Sequence, residues 1–310
     1  MPVAPRMTAP WAGHRRARRV LVVMLAAAIA LAGILVGVTV ATSASGVHWV
    51  QLWSDSFTGP AGSGISQQSW AYQTGHGIFG SGEIETMTGS PGNVHLDGRG
   101  DLDITAISQG ATWTSGRIRT RSVFRAPAGG ELMVTASIRQ PDPVGGVGYW
   151  PAFWLLGPGA WPEHGEIDIL EDVNGLSEHS GALHCGNLTE PNPDGTFGPC
   201  HEQYGLGSGL RPCPGCQQGY HTYTVIIDRR DATDQQVRWY LDGRQFFSVS
   251  ESRVGTAAWQ SAFSQGFAII LDLAVGGSYP DTVCRCGAPT NSTTSGGTMS
   301  VQYVTVYRAS

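Results

Sequence analysis

The 310-residue chain contains no lysine; all 19 of its basic residues are arginine. Without lysine there is no Schiff base, which excludes pyridoxal-phosphate chemistry. There is no phosphate-loop lysine, which excludes a Walker-type nucleotide site. No lysine can act as a general base. The sequence also lacks a serine-hydrolase signature and matched CxxC pairs. Chemistry therefore falls to 24 carboxylates, 9 His, hydroxyls and thiols. Long helical periodicity is missing as well, since beyond residue 42 no segment sustains a 3.6-residue apolar repeat.

What is present fits an all-β body. Gly (43) and Pro (18) are frequent, and a hydrophobic content of 41% can fill a core. Many turn residues between short apolar runs favour sheets over helices. Charge is split along the chain. Residues 1–54 hold five Arg (Arg6, Arg15, Arg16, Arg18, Arg19) and no acid. The remainder holds 14 Arg against 24 acids, a formal −10. Nucleic-acid binding needs a basic footprint, so this body argues against it. A neutral polymer such as a polysaccharide suits it better, although mild acidity also serves solubility alone.

Val20–Ala41 is almost wholly apolar, VLVVMLAAAIALAGILVGVTVA. As a helix it would rise roughly 33 Å, enough to span a bilayer core. The Arg15–Arg19 cluster precedes it, so the positive-inside rule places residues after about 42 outside. The segment reads as an uncleaved anchor or, with small residues at Thr42-Ser43-Ala44, a cleaved signal. The expected organisation is a basic cytoplasmic segment at 1–19, an apolar helix at 20–42, a linker at 43–52 and a β-sandwich at 53–310. Membrane attachment then depends on the helix staying uncleaved; otherwise the domain is secreted. All six Cys (Cys185, Cys200, Cys213, Cys216, Cys284, Cys286) lie beyond this segment. In an exported domain they read as up to three disulfides, with 15 connectivities open. Zinc at Cys213-Pro-Gly-Cys216 is disfavoured, because one CxxC without a partner pair is a weak metal signal.

Strands are legible in several places. Leu102, Ile104 and Ala106 alternate with polar residues, as do residues 132–138 and 301–307. Residues 223–227 are β-branched and aromatic, and Phe267–Leu273 is a buried apolar run. Residues 237–241 and 244–249 flank Asp242-Gly243, a tight-hairpin signal. Thr256–Phe263 reads as a short helix.

The most informative segment is Glu166-Ile-Asp-Ile-Leu-Glu171. A regular strand puts Glu166 and Asp168 on one face and Ile167 and Ile169 on the other. Glu171 is five residues from Glu166 and would face the wrong way. A β-bulge near Ile169–Leu170 restores it. Three carboxylates on one face cannot all ionise freely, so at least one pKa must rise. A retaining glycosidase needs that asymmetry: a charged nucleophile and a protonated acid, about 5–5.5 Å apart. The plainer alternatives are a solvated acidic strand or a calcium site.

The segment resembles the active-site signature of glycoside hydrolase family 16 in its bulged, laminarinase-like form, Glu-x-Asp-x-x-Glu. The resemblance extends in order over roughly 50–308. It includes Trp113-Thr-Ser-Gly-Arg117 with Thr120, Gly148-Tyr-Trp-Pro-Ala-Phe-Trp-Leu-Leu-Gly157 and Leu183-His184. It continues through Tyr220-His-Thr-Tyr223, Gly266–Gly277 and Tyr303–Tyr307. It implies a concanavalin-like β-jelly-roll sandwich with an open cleft and an endo-β-1,3(4)-glucanase-like activity. Glu166 would be the nucleophile, Glu171 the acid/base and Asp168 the residue tuning the nucleophile. Trp150, Trp154 and Trp161 would stack on sugar rings, with one of Phe153 and Trp154 packing inward. His184 would hydrogen-bond a sugar or a carboxylate, or else be a satisfied structural His, and Arg117 and Glu83 would contact sugar hydroxyls. The partner implied is a β-glucan, handled by a monomeric catalytic domain. Transglycosylation and non-catalytic sugar binding are the competing activities. No cofactor is required. Two positions depart from the family: Asp272 stands where Asn is usual, and Gln302 where a calcium-ligating Asp is usual. The second disfavours, without excluding, a structural calcium.

Overall fold

Alternating apolar and polar residues assemble two stacked antiparallel sheets. The computed structural model describes residues 47–77 and 79–310. The expected apolar helix at 20–42 and the basic segment before it lie outside the described residues. Among the described residues, no helix is long and apolar enough to cross a membrane.

One sheet runs Arg244–Ser250, Gln236–Leu241, His221–Asp228, Glu131–Arg139, Thr298–Ala309, Leu102–Thr105 and Val94–Leu96. Val50–Asp55 also pairs with Thr298–Ala309, so this strand begins three residues before the expected domain edge at 53. The other sheet runs Leu206–Gly207, Glu178–His184, Glu166–Glu171, Tyr149–Leu156, Ala268–Val275, Arg117–Thr120 and Trp70–Tyr72. A smaller four-stranded sheet packs residues 75–76, 86–87, 107–109 and 112–115 at one side.

The inner faces meet in one core. Phe153, Leu155, Ile167, Leu183 and Leu271 come from the second sheet, and Leu132, Tyr223, Val225, Trp239 and Val304 from the first. Each is at most 1% exposed. At roughly 1.5–3 kcal/mol per large apolar side chain, this burial is the main force holding the sheets together. The expected strands coincide with observed ones, except that Ala106 and Phe267 each lie one residue outside Leu102–Thr105 and Ala268–Val275. Asp242 and Gly243 adopt φ of 48° and 74°, the left-handed pair that a two-residue type I′ hairpin requires.

Thr256–Phe263 is helical, as expected. Two further short helices, Glu251–Val254 and Ser278–Cys284, were not legible. The second hides behind Pro280, which is tolerated there because it sits in the first turn. The cysteines pair with near neighbours: Cys185–Cys200, Cys213–Cys216 and Cys284–Cys286. In the last strand, Gln302 Oε1 accepts a 2.8 Å hydrogen bond from Ser137 Oγ. Its neutral amide is a poorer calcium ligand than the carboxylate usual at this position.

Candidate active site

The site lies on the outer face of the second sheet, centred on Glu166–Glu171. Against Tyr149–Leu156, Leu170 opposes Phe153 and Asp168 opposes Trp154, so Ile169 has no partner of its own. Against Glu178–His184, Asp168 opposes Ala182 and Glu171 opposes Ser180, a step of three against two. This is a β-bulge at the expected position. Ile167, Ile169 and Leu170 are fully buried, while Glu166 and Glu171 remain half-buried on the outer face. The extra residue restores the parity of Glu171.

The bulge is anchored from the opposite sheet. Trp239 Nε1 donates a 2.7 Å hydrogen bond to the Asp168 carbonyl, across the core. Gly181 makes room for that indole, since a Cβ there would lie 2.6 Å from Trp239 Cδ1. A bulge frees backbone groups from the ladder, and this buried carbonyl needs such a donor.

The register aligns the polar face. Glu171 opposes Ala152, Ala152 opposes Asp272, and Asp272 opposes Arg117. The small Ala152 leaves space between the flanking carboxylates. Trp150 Nε1 donates to Glu171 Oε1 at 2.8 Å. Its ring meets Tyr279 edge-on at 5.7 Å, forming one wall. Trp154 Nε1 donates to Asp272 Oδ1 at 2.7 Å. The family departure at 272 therefore does place a further carboxylate in the cleft. Phe153 packs inward and Trp154 outward.

Three carboxyls of this face carry raised pKa values. Burial, then the charge of Asp168, pushes Glu166 up, with His184 and Arg117 opposing. The same two causes, in the same order, push Glu171 well above the usual carboxylate range. Glu166 lies 3.7 Å from His184 Nε2, whereas the direct polar contact of Glu171 is the Trp150 N–H. Glu166 is thus better placed to stay charged and Glu171 to hold a proton. Burial also raises Asp272 to about 6, moderated by Arg117 and Trp154. Burial alone would lower His184, but its contacts with Asp168 and Glu202 outweigh this and raise it.

The other anticipated residues occupy different stations. Trp161 is 40% exposed and its ring centroid is 5.6 Å from that of His184, at the opposite end from Trp150. Arg117 is buried, and its Nε donates to Gln73 Oε1 at 2.9 Å. Its guanidinium lies 4.0 Å from the Phe79 ring centroid and 4.7 Å from that of Trp154. The guanidinium packs against both rings. Glu83 accepts from the Ser81 N–H and bridges to Gly276, at the rim beside Trp150. Glu202, Tyr279, Phe79 and Gln73 were not anticipated. No local motif marks them.

The fold and this carboxylate-lined face define a carbohydrate-active β-sandwich of the jelly-roll type. A family model described as "XgeA-like, catalytic GH16 domain" matches residues 102–197. The crystal structure of an endo-1,3-beta-glucanase from Streptomyces sioyaensis is 40% identical, with a TM-score of 0.77. That match covers 84% of this chain and 97% of the other. Glucan endo-1,3-beta-glucosidase A1 of Niallia circulans is 28% identical over 83% of this chain. The clotting factor G alpha subunit of Tachypleus tridentatus is 30% identical over 75%. The chain spans 37% and 31% of the lengths of these last two relatives. The chain belongs to glycoside hydrolase family 16.

Proposed function

We propose that the chain is a retaining endo-β-glucanase acting on β-1,3-linked glucan. The bulged strand that turns Glu166, Asp168 and Glu171 to one face carries this reading. The names borne by the Streptomyces and Niallia relatives support the linkage. Glu166 attacks the anomeric carbon as the glycosidic C–O bond breaks, and the Glu171 proton passes to the leaving oxygen. This leaves a glycosyl ester on Glu166. Glu171, now charged, takes a proton from water, whose oxygen attacks the same carbon and releases Glu166. Asp168 sits between them and orients the nucleophile. Trp150 and Trp161 offer ring faces to sugars on either side of the bond being cleaved.

The domain works outside the cytoplasm as a monomer, reached through the apolar segment at 20–42 acting as anchor or cleaved signal. Three disulfides suit an oxidising compartment.

The test is product analysis on laminarin, mixed-linkage glucan and a galactan, with Glu171→Gln as control. Short β-1,3-oligosaccharides from internal cuts are expected, with kcat lowered roughly 10²–10⁴-fold in the variant. Products longer than the donor would reassign the chain to transglycosylation. Binding without turnover would reassign it to recognition.

A further inference from the structure

A line of charge enters the site from a loop that the proposed reaction does not use. Glu202 is wholly buried and both its oxygens are engaged. Oε2 lies 2.7 Å from His184 Nδ1, and Oε1 accepts the Cys185 N–H at 2.9 Å. Its backbone pairs both ways at 2.7 Å with Phe197, which lies inside the span closed by Cys185–Cys200, two residues short of Glu202 itself. The other edge of the ring faces the carboxylate strand. His184 Nε2 lies 3.3 Å from Asp168 Oδ2 and 3.7 Å from Glu166 Oε1.

The ring has little freedom to turn. Gly205 covers its edge so closely that a Cβ would lie 2.8 Å from Cε1, and Trp161 packs beside it. His184 therefore stands between one carboxylate hydrogen-bonded at Nδ1 and two within ion-pair distance of Nε2. An imidazole with acceptors at both nitrogens is best satisfied as the doubly protonated cation. Four groups set its charge: Glu202 from the loop, Asp168 and Glu166 from the neighbouring strand, and Glu171 beyond them. Arg117, three strands past the carboxylate strand, acts on Glu166 in the same sense as His184.

We propose that Glu202 is a positioning residue. It holds the His184 ring with Nδ1–H on the loop and Nε2–H on Glu166 and Asp168, keeping a cation beside the nucleophile. This rests on the assignment of Glu166 as nucleophile. The order of effects follows from charge alone. Losing the carboxylate at 202 lets His184 release its proton at lower pH. Losing the cation makes Glu166 harder to ionise, so activity at low pH requires a higher pH to appear.

Imidazole ¹⁵N NMR on the unaltered chain reads the ring directly. The expected result at pH 7 is a doubly protonated His184 with its Nδ1–H in a strong hydrogen bond. A neutral ring overturns the proposal, whether or not the chain cleaves any glucan. In Glu202→Gln, the midpoint of His184 should fall by at least one pH unit. The acidic limb of kcat/KM should move up by about one unit, with kcat lowered roughly tenfold and KM within about twofold. Glu202→Asp, which keeps the charge, should recover most of the unaltered profile. A folded Glu202→Gln with unchanged His184 midpoint and unchanged acidic limb would also overturn the proposal. Failure of the chain to cleave any polysaccharide would instead sink the enzymatic reading and leave the ring measurement standing.

Discussion

At the scale of single residues, the protein carries carboxyls in places that cost stability when charged. Glu85 is the clearest outside the catalytic strand. It is 2% exposed, and its Oε2 accepts the Val275 N–H at 2.8 Å. Its Oε1 has no hydrogen-bond partner among the described residues. Burial raises it to about 8 from 4.5, against the hydrogen bond from Val275. Between those two pH values the folded chain holds a proton that the unfolded chain has released. Stability contributed by this group is therefore full below about 4.5 and declines as pH rises toward 8. Glu85→Gln keeps an acceptor for Val275 and removes the titration. Its melting temperature should fall less between pH 5 and pH 8 than that of the unaltered chain, as scanning calorimetry at both pH values would read. An equal fall in both would refute the account. Parity made the catalytic carboxylates readable in the sequence, because side chains alternate along a strand. Glu85 and Glu202 were not readable: their burial comes from segments distant in the chain.

At the scale of elements, the bulge decides where Glu171 points, and the opposite sheet secures it. The offset of five between Glu166 and Glu171 predicted a bulge, but nothing near it in the chain announced Trp239 as its anchor. That indole belongs to a strand some seventy residues on, with a separation of 71 from Asp168. Trp239→Phe retains most of the apolar surface and deletes the donor. Leaving the Asp168 carbonyl buried and unpaired should cost about 1–3 kcal/mol, read from urea unfolding. Activity should fall further than that loss alone explains at temperatures where the variant stays folded, because Asp168 and Glu171 lose their reference point. A variant with normal stability and normal kcat would show that the ladder alone holds the bulge. Trp154 and Phe153 show the legible side of this scale: adjacent strand residues must face opposite ways. Which one faced the cleft depended on which sheet face was covered.

At the scale of the whole molecule, the end of the chain completes the centre of a sheet. Thr298–Ala309 lies between Glu131–Arg139 and Leu102–Thr105 and also receives Val50–Asp55. Met299, Val301, Val304 and Val306 are fully buried there. Four such side chains bring roughly 6–12 kcal/mol of burial, comparable to the entire net stability of an ordinary domain, about 5–15 kcal/mol. Removing residues 298–310 should abolish the native fold, seen as loss of near-ultraviolet circular dichroism and of cooperative melting. A truncated chain that melts cooperatively would show the strand to be dispensable.

The linear sequence by itself determined the carboxylate chemistry, the sheet class and the need for a bulge. These follow from residue type and from a two-residue period, both local properties. It also carried the order of matched motifs that gives family membership. Only the tertiary structure decided that Glu202 grips His184, that Trp239 anchors the Asp168 carbonyl and that Asp272 faces the cleft. Each of these depends on which distant segments share a low-dielectric space, where an unpaired charge or carbonyl is costly. Contacts across a sandwich are set by sheet order and register, and no window along the chain contains both partners.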